Sequence, residues 1–125
     1  MLDRVCVRSA GHPPPILAGR GALVDRLARS PLGVDLGRRD LPGTSFDLPA
    51  TWSLVAYTDG LFEVRDAGSR ILDSATVPEA VAAARVDGQV DPDRLIADFA
   101  SRGDGWRDDV AVMVVGRHEQ GRRAS

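Results

Sequence analysis

The chain lacks the residues that build a disulfide framework, a membrane span or a nucleic-acid surface. Its 125 residues contain one cysteine, so no intrachain disulfide is possible and a reducing compartment is expected. That residue, Cys6, stands between Val5 and Val7, which predicts a buried and unreactive side chain. No apolar run approaches the roughly 20 residues of a membrane span, and a net charge of -2 offers no basic field to nucleic acid. We therefore expect a cytoplasmic protein with no membrane and no nucleic-acid partner.

Several motifs of catalysis and ligand binding are missing as well. No glycine-rich phosphate loop follows a predicted strand, and no Gly-x-Ser-x-Gly sequence marks a serine nucleophile. His12 and His118 lie in unrelated contexts and do not indicate zinc, and we expect His12 to cap a turn rather than to act as a general acid. An EF-hand that starts at Asp104 fails because Asp109 stands where the loop needs glycine. Nucleotide, zinc and calcium sites of these kinds are therefore excluded.

Apolar residues make up 43% of the chain, which is enough for one domain with its own core. Apolar runs and alternation predict strands at 5–9, 16–18, 22–27, 44–48, 52–57 and 110–115. Helical spacing predicts helices at 61–64, 77–85 and 92–101, the last opened by Asp91 as N-cap with Pro92 in the first turn. A surface loop is predicted over 30–43, anchored by residues 31–34.

The predicted strands are joined mostly as hairpins. Gly19-Arg20-Gly21 suits a tight reversal between the strands at 16–18 and 22–27. The strands at 44–48 and 52–57 are predicted to form a second hairpin, with the nearly continuous apolar run at 52–57 in the centre of the sheet. Because the helices cluster late in the chain, this order favours an antiparallel α+β fold over a doubly wound sheet.

Two short acidic signals stand at the ends of strand-like runs. Thr58-Asp59-Gly60 follows the strand at 52–57, and Asp108-Asp109 precedes the strand at 110–115. Carboxylates placed there can converge on a hard cation such as Mg²⁺ or Mn²⁺ beside a phosphate, which indicates metal-dependent phosphoester chemistry. Each signal also has a plainer interpretation, as a turn dipeptide and as a solvated loop end. Since adjacent strand residues face opposite sides, at most one of Asp108 and Asp109 is expected to be a ligand.

Four motifs occur in an order that resembles the metal-dependent protein serine/threonine phosphatases of the protein phosphatase 2C superfamily. They are the segments 9–15 (SAGHPPP), 31–34 (PLGV), 57–61 with Glu63 (YTDGL), and 108–111 (DDVA). The resemblance is to the bacterial branch typified by the sporulation stage II protein E phosphatase domain, and it covers roughly residues 4 to 116. The order and spacing of the motifs are far more specific than either acidic signal alone.

The resemblance implies the C-terminal part of a four-layer α-β-β-α sandwich with antiparallel sheets in residues 1–116, followed by a polar, disordered tail at 117–125. It implies a pair of Mn²⁺ or Mg²⁺ ions, with Asp59 and Asp108 as ligands, Asp109 ranked behind them, and no catalytic residue beyond the metal ligands. In the family, a water that bridges the two metals attacks the phosphorus of phosphoserine or phosphothreonine. The resemblance further implies a phosphorylated protein substrate, an anti-sigma-factor antagonist, in stress or sporulation signalling, and leaves the substrate-binding residues undefined.

The chain departs from the family pattern at its start. The family's domain begins with strands that carry a Gly-Asp and a further Asp-Gly-type element, which supply the bridging carboxylate and other ligands, and those positions have no counterpart here. We therefore expect a truncated domain whose uncovered sheet edges favour self-association or a complementing chain. A non-catalytic interaction module, or a pseudophosphatase fragment in a bacterial signalling pathway, is the alternative. A misplaced start site or a decayed gene is a third possibility.

Overall fold

The computed structural model describes residues 3–8, 12–24, 43–65 and 72–117. The strands in this part of the chain are β1 (Asp3–Val7), β2 (Ile16–Leu17), β3 (Gly21–Ala22), β4 (Thr44–Leu48), β5 (Trp52–Tyr57), β6 (Arg85–Val86), β7 (Gln89–Val90) and β8 (Val112–Arg117). The helices are a 3-10 turn at Asp59–Leu61, α1 (Thr76–Ala83) and α2 (Pro92–Ser101). The predicted anchor at 31–34, residues 9–11 of the first motif and positions 118–125 of the predicted tail lie outside the described residues.

All the strand pairings in the described ranges are antiparallel, which confirms the α+β class. The largest sheet has the order β3-β2-β5-β8, so β5 is central as predicted. The glycine-flanked reversal also forms, as the short hairpin of β2 and β3. The strand β1 pairs with β4, and β6 pairs with β7. Neither helix in the described ranges is long and apolar enough to cross a membrane.

One face of the β3-β2-β5-β8 sheet is covered by the helices. Alternation along β5 turns Val55 to this face, where it packs in one cluster with Val77 of α1 and Phe99 of α2, all of them without exposed surface. In α2, Leu95 and Phe99 lie one helical turn apart and are both buried. Burial of a side chain of this kind stabilises the fold by about 1.5–3 kcal/mol, so this cluster fixes the helices against the sheet.

The other face of the same sheet packs against β1 and β4. The second core cluster joins Val7 of β1 and Leu48 of β4 to Leu17 of β2, with Leu54 of β5 partly buried against it. The predicted hairpin of β4 with β5 is therefore wrong. The two strands meet face to face in this cluster, and the short link at 49–51 carries the chain from one sheet to the other. The complete four-layer sandwich remains a prediction.

Two further expectations about the strands were wrong, and one hairpin of the structure was not predicted. Cys6 is exposed, because the period of two along β1 turns its neighbour Val7 into the core and Cys6 away from it. The last strand begins at Val112 and not at residue 110, because Ala111 is held by Thr58 ahead of the strand. The β6–β7 hairpin was not predicted, although its turn, Asp87-Gly88, has the positive φ angles of 51° and 81° that favour this dipeptide.

The C-terminal helix forms where the sequence predicts it. The helix α2 spans Pro92–Ser101, and the Asp91 side chain accepts hydrogen bonds from the backbone N–H groups of Asp93 and Arg94. The predicted helix at 77–85 also forms, as α1, with its end two residues earlier because residues 85–86 enter β6. In place of the short helix at 61–64, a single 3-10 turn occurs slightly earlier, at Asp59–Leu61.

Candidate active site

The two acidic segments meet beyond the paired ends of β5 and β8. The Thr58 N–H donates to the Ala111 carbonyl at 3.0 Å, and the Ala111 N–H donates to Thr58 Oγ1 at 3.0 Å. The same hydroxyl lies 3.4 Å from the Asp109 carbonyl oxygen, to which it donates. The Thr58 side chain therefore extends the contact between β5 and β8 beyond their last paired residues. As a result, Asp59 lies beside the 108–109 segment.

Gly60 makes this approach possible. The residue is buried, and a β-carbon built on it would collide with the Asp109 carbonyl oxygen and would lie 3.3 Å from the Asp109 carbonyl carbon. Any larger residue would have to push the two segments apart. The missing side chain of Gly60 therefore serves the close approach of two segments of the chain.

Contacts of Trp106 hold the loop that leads to Asp108 against the 3-10 turn and the residues that follow it. The Trp106 indole N–H donates to the Leu61 carbonyl at 3.0 Å, and an isolated antiparallel bridge joins Trp106 to Val64. Asp108 then folds back on its own turn, where its Oδ1 accepts from the Asp109 N–H at 2.8 Å. The Trp106 indole before Asp108 and the Thr58 hydroxyl bound after it together fix the position of the loop.

The structure thus brings together the two segments that carry the three aspartates singled out in the sequence. Asp59, Asp108 and Asp109 are all exposed at the same end of the sheet. Asp108 and Asp109 lie in a loop before β8, so the strand-alternation argument that only one of them can face the site does not apply to them. The backbone contacts reported above join their segment to Thr58 and Gly60.

The aspartates at this end of the sheet suit a hard divalent cation, because carboxylate oxygens are the ligands that Mg²⁺ and Mn²⁺ prefer. The number of donors is low. Within the described residues, no group of three or more His, Cys, Asp or Glu side chains is placed to hold a metal ion. The carboxylates of Asp59 and Asp108 can therefore form part of a metal site, and further oxygen donors are needed to complete it.

A cleft of about 470 Å³ opens beside Asp59. Its walls come from three separate segments: Pro13 and Pro14 before β2, Phe62 after the 3-10 turn, and the start of α1. Tyr57 lies at its base, where burial raises the pKa of the phenol and keeps the group neutral at ordinary pH. The sequence did not indicate that Pro13 and Pro14 would line a cleft.

His12 is the one histidine among the described residues. It lines the 470 Å³ cleft together with Asp59, and it also lines a smaller cavity of about 230 Å³ together with Thr58 and Met113. The structure therefore places His12 close to the acidic segments, which its position in the sequence did not reveal. Its expected role in capping a turn stays a prediction.

An antiparallel α+β domain with exposed carboxylates clustered at one end of its central sheet belongs to the class of proteins that can carry hard-metal chemistry at a sheet edge. The family model described as Stage II sporulation protein E (SpoIIE) matches residues 3–118. The chain therefore belongs to the SpoIIE family, whose domain is related to the phosphatases of the protein phosphatase 2C superfamily. No curated protein and no solved structure matched the chain.

Proposed function

We propose that this chain carries part of the active site of a metal-dependent phosphoprotein phosphatase that hydrolyses phosphoserine or phosphothreonine. The observation that carries the proposal is the contact of Thr58 and Gly60 with the 108–111 segment, in a chain of the SpoIIE family. This contact supports the proposal because it joins the segment that follows Thr58 to the segment that contains Asp108, in a family related to phosphatases. The resemblance of the motifs points to a phosphorylated anti-sigma-factor antagonist as the substrate.

In this proposal Asp59 and Asp108 hold Mn²⁺ or Mg²⁺, with Asp109 ranked behind them. When bound, the ions supply neutralisation of phosphate charge and activation of a water nucleophile. The chain's own residues position the metal ligands and the substrate. Thr58 and Trp106 fix the two loops that bear the carboxylates, and the cleft beside Asp59 gives a substrate chain a surface to rest on. Additional oxygen donors come from beyond the described residues or from a second chain.

The test is Mn²⁺-dependent release of phosphate from a phosphoserine peptide. It is measured for this chain and for the chain extended by any in-frame upstream coding sequence. We expect Asp59→Asn to lower kcat/KM by at least about 100-fold, because a ligand to the metal is lost. Asp47→Asn, which makes the same change at an exposed position of β4 outside the four motifs, is the matched control and is expected to retain activity. Absence of Mn²⁺-dependent turnover in both chains, or full activity of Asp59→Asn, would exclude the proposed reaction.

A second candidate function is a non-catalytic interaction module. It is favoured by the small number of metal donors in the described part of the chain and by the apolar side chains Met113 and Val115 of β8, which are 60% and 48% exposed. This function predicts weak or undetectable binding of Mn²⁺ in a calorimetric titration. Tight binding of Mn²⁺ that is lost in Asp59→Asn would count against the module and in favour of the phosphatase.

A further inference from the structure

The cleft beside Asp59 differs in chemistry from the adjoining end of the sheet, where Asp59, Asp108 and Asp109 lie. Asp59 is the one carboxylate among its described lining residues, and those residues include no arginine. The floor is formed by the side chains of Ile16 and Tyr57, which are 1% and 6% exposed. A carboxylate that entered this cleft would lose water and meet Asp59, with no arginine and only His12 as a basic side chain among the described lining residues, whereas an apolar group would gain from burial.

The walls of the cleft are also stiff. Pro13 and Pro14 form one side, and their ring-locked φ angles leave the backbone little freedom. Phe62 forms another, held edge-on to Tyr57 with ring centroids 6.3 Å apart. On the third side Ala75 stands at the start of α1, where its N–H donates to Asp73 Oδ1 at 3.0 Å. A preformed apolar cleft of this kind binds a side chain with little cost in ordering.

We propose that this cleft is the specificity subsite of the phosphatase: it receives an apolar side chain of the substrate protein close to the phosphorylated residue. The inference rests on the proposed function, because Asp59 both lines the cleft and is the proposed metal ligand. With the phosphate held near Asp59 by the metal that this residue would bind, an extended peptide travels no more than about 3.5 Å per residue. The side chain that enters the cleft therefore belongs to a residue within about two positions of the phosphoserine or phosphothreonine.

The first arm of the test compares phosphoserine peptides that differ only in Leu or Asp at one position, taken in turn at the two positions on each side of the phosphoserine. At one of these positions we expect kcat/KM to be at least about tenfold higher with Leu, because hydrophobic pockets discriminate by that much or more. Hydrolysis of p-nitrophenyl phosphate, which has no peptide to fill the cleft, is measured in parallel as a readout of the metal site alone.

The second arm places a cation in the cleft. In Ala75→Arg the exposed alanine at the start of α1 gains a guanidinium that faces the bound peptide, and its backbone bond to Asp73 is retained. We expect this variant to lose the preference for Leu and to favour Asp. Ala82→Arg makes the same change at an exposed position of the same helix that does not line the cleft, and it is expected to keep the wild-type preference.

The possible results distinguish failure of the proposed subsite from failure of the proposed reaction. Turnover of p-nitrophenyl phosphate with equal kcat/KM for the Leu and Asp peptides, or an unchanged preference in Ala75→Arg, would overturn the subsite. If p-nitrophenyl phosphate is not turned over, the proposed reaction fails, and the subsite is judged by fluorescence anisotropy of the same labelled peptides. Tighter binding of the Leu peptide, reversed by Ala75→Arg alone, then supports the subsite, and equal binding of the two peptides rejects it.

Discussion

At the scale of single residues, the candidate site depends on two side chains that carry no charge. Thr58 offers one hydroxyl that accepts from the Ala111 N–H and donates toward the Asp109 carbonyl, so both of its hydrogen-bonding functions are used on the facing segment. Gly60 has no side chain, and the Asp109 carbonyl oxygen occupies the space that a β-carbon would take. The two acidic segments can therefore approach each other because Thr58 has a hydroxyl and Gly60 has no side chain.

The hydroxyl of Thr58 can be tested by a matched pair of substitutions. Thr58→Val keeps the shape of the side chain but leaves the Ala111 N–H without its acceptor, and we expect it to lower the free energy of unfolding by about 0.5–1.5 kcal/mol. Thr58→Ser keeps the hydroxyl and is expected to lie closer to the wild type. Urea unfolding of both variants measures the difference. Equal destabilisation by Val and Ser would show that the hydroxyl does not hold the 108–111 segment.

At the scale of elements, the strands and helices fall into two groups. The helix α2 is specified locally, because Asp91 and Pro92 define its start and the pair Leu95 and Phe99 defines its buried face. The strand β4 is not specified locally. Its own alternation indicates a strand, but its partner β1 lies across a long stretch of sequence, and the neighbouring β5 contributes only a packed face.

The cap of α2 gives a prediction at this scale. Asp91→Ala removes the carboxylate that accepts from the Asp93 and Arg94 N–H groups, and we expect a loss of about 1 kcal/mol in the free energy of unfolding. Asp91→Asn keeps an acceptor oxygen at the same place and is expected to recover most of that loss. Thermal and urea unfolding compare the two. A variant with Asn that is as unstable as the one with Ala would indicate that the charge, and not the cap, matters.

At the scale of the whole molecule, the first and last described strands are joined by a polar cluster. Arg117 Nη1 of β8 donates to both carboxylate oxygens of Asp3 in β1, at 2.7 and 2.8 Å. The Trp52 indole N–H of β5 donates to Asp3 Oδ2 at 2.9 Å. This cluster links the β1–β4 pair to the central sheet at their edge, in addition to the apolar contacts of the second core cluster.

The cluster makes stability depend on pH. The hydrogen bonds from Arg117 and then from Trp52 hold the pKa of Asp3 below its ordinary value of 3.8. Because the folded state keeps this carboxylate ionised more firmly than the unfolded chain does, its contribution is complete above that ordinary value and is lost as the pH falls through the lower folded pKa. The stabilisation should therefore be visible at neutral pH and fade in acid.

We expect the difference in Tm between the wild type and Asp3→Asn to shrink as the pH is lowered from about 5 to about 3. Asp47→Asn is the control, because Asp47 pairs with Arg4 only in an exposed salt bridge at 3.3 Å, a kind that contributes little. Its Tm difference from the wild type is expected to be small across the same range. A Tm difference for Asp3→Asn that stays constant with pH would contradict the role of this carboxylate.

The sequence by itself determined the features that depend on neighbouring residues. It specified α2 with its cap, the short hairpin of β2 and β3, the central strand β5, the acidic signals at the strand ends and the resemblance to a phosphatase family. These follow from capping, turn chemistry, apolar pattern and motif order, which act over a few residues or are read directly from the chain.

Only the tertiary structure decided which distant segments meet. It placed β4 on β1, turned Cys6 outward, and set Thr58 and Gly60 against residues 108–111. It also assembled the cleft beside Asp59 from a proline pair, a 3-10 turn and the start of α1. Such contacts are selected by the packing of the whole core and by the shape of each facing segment, so no local pattern in the sequence specifies them.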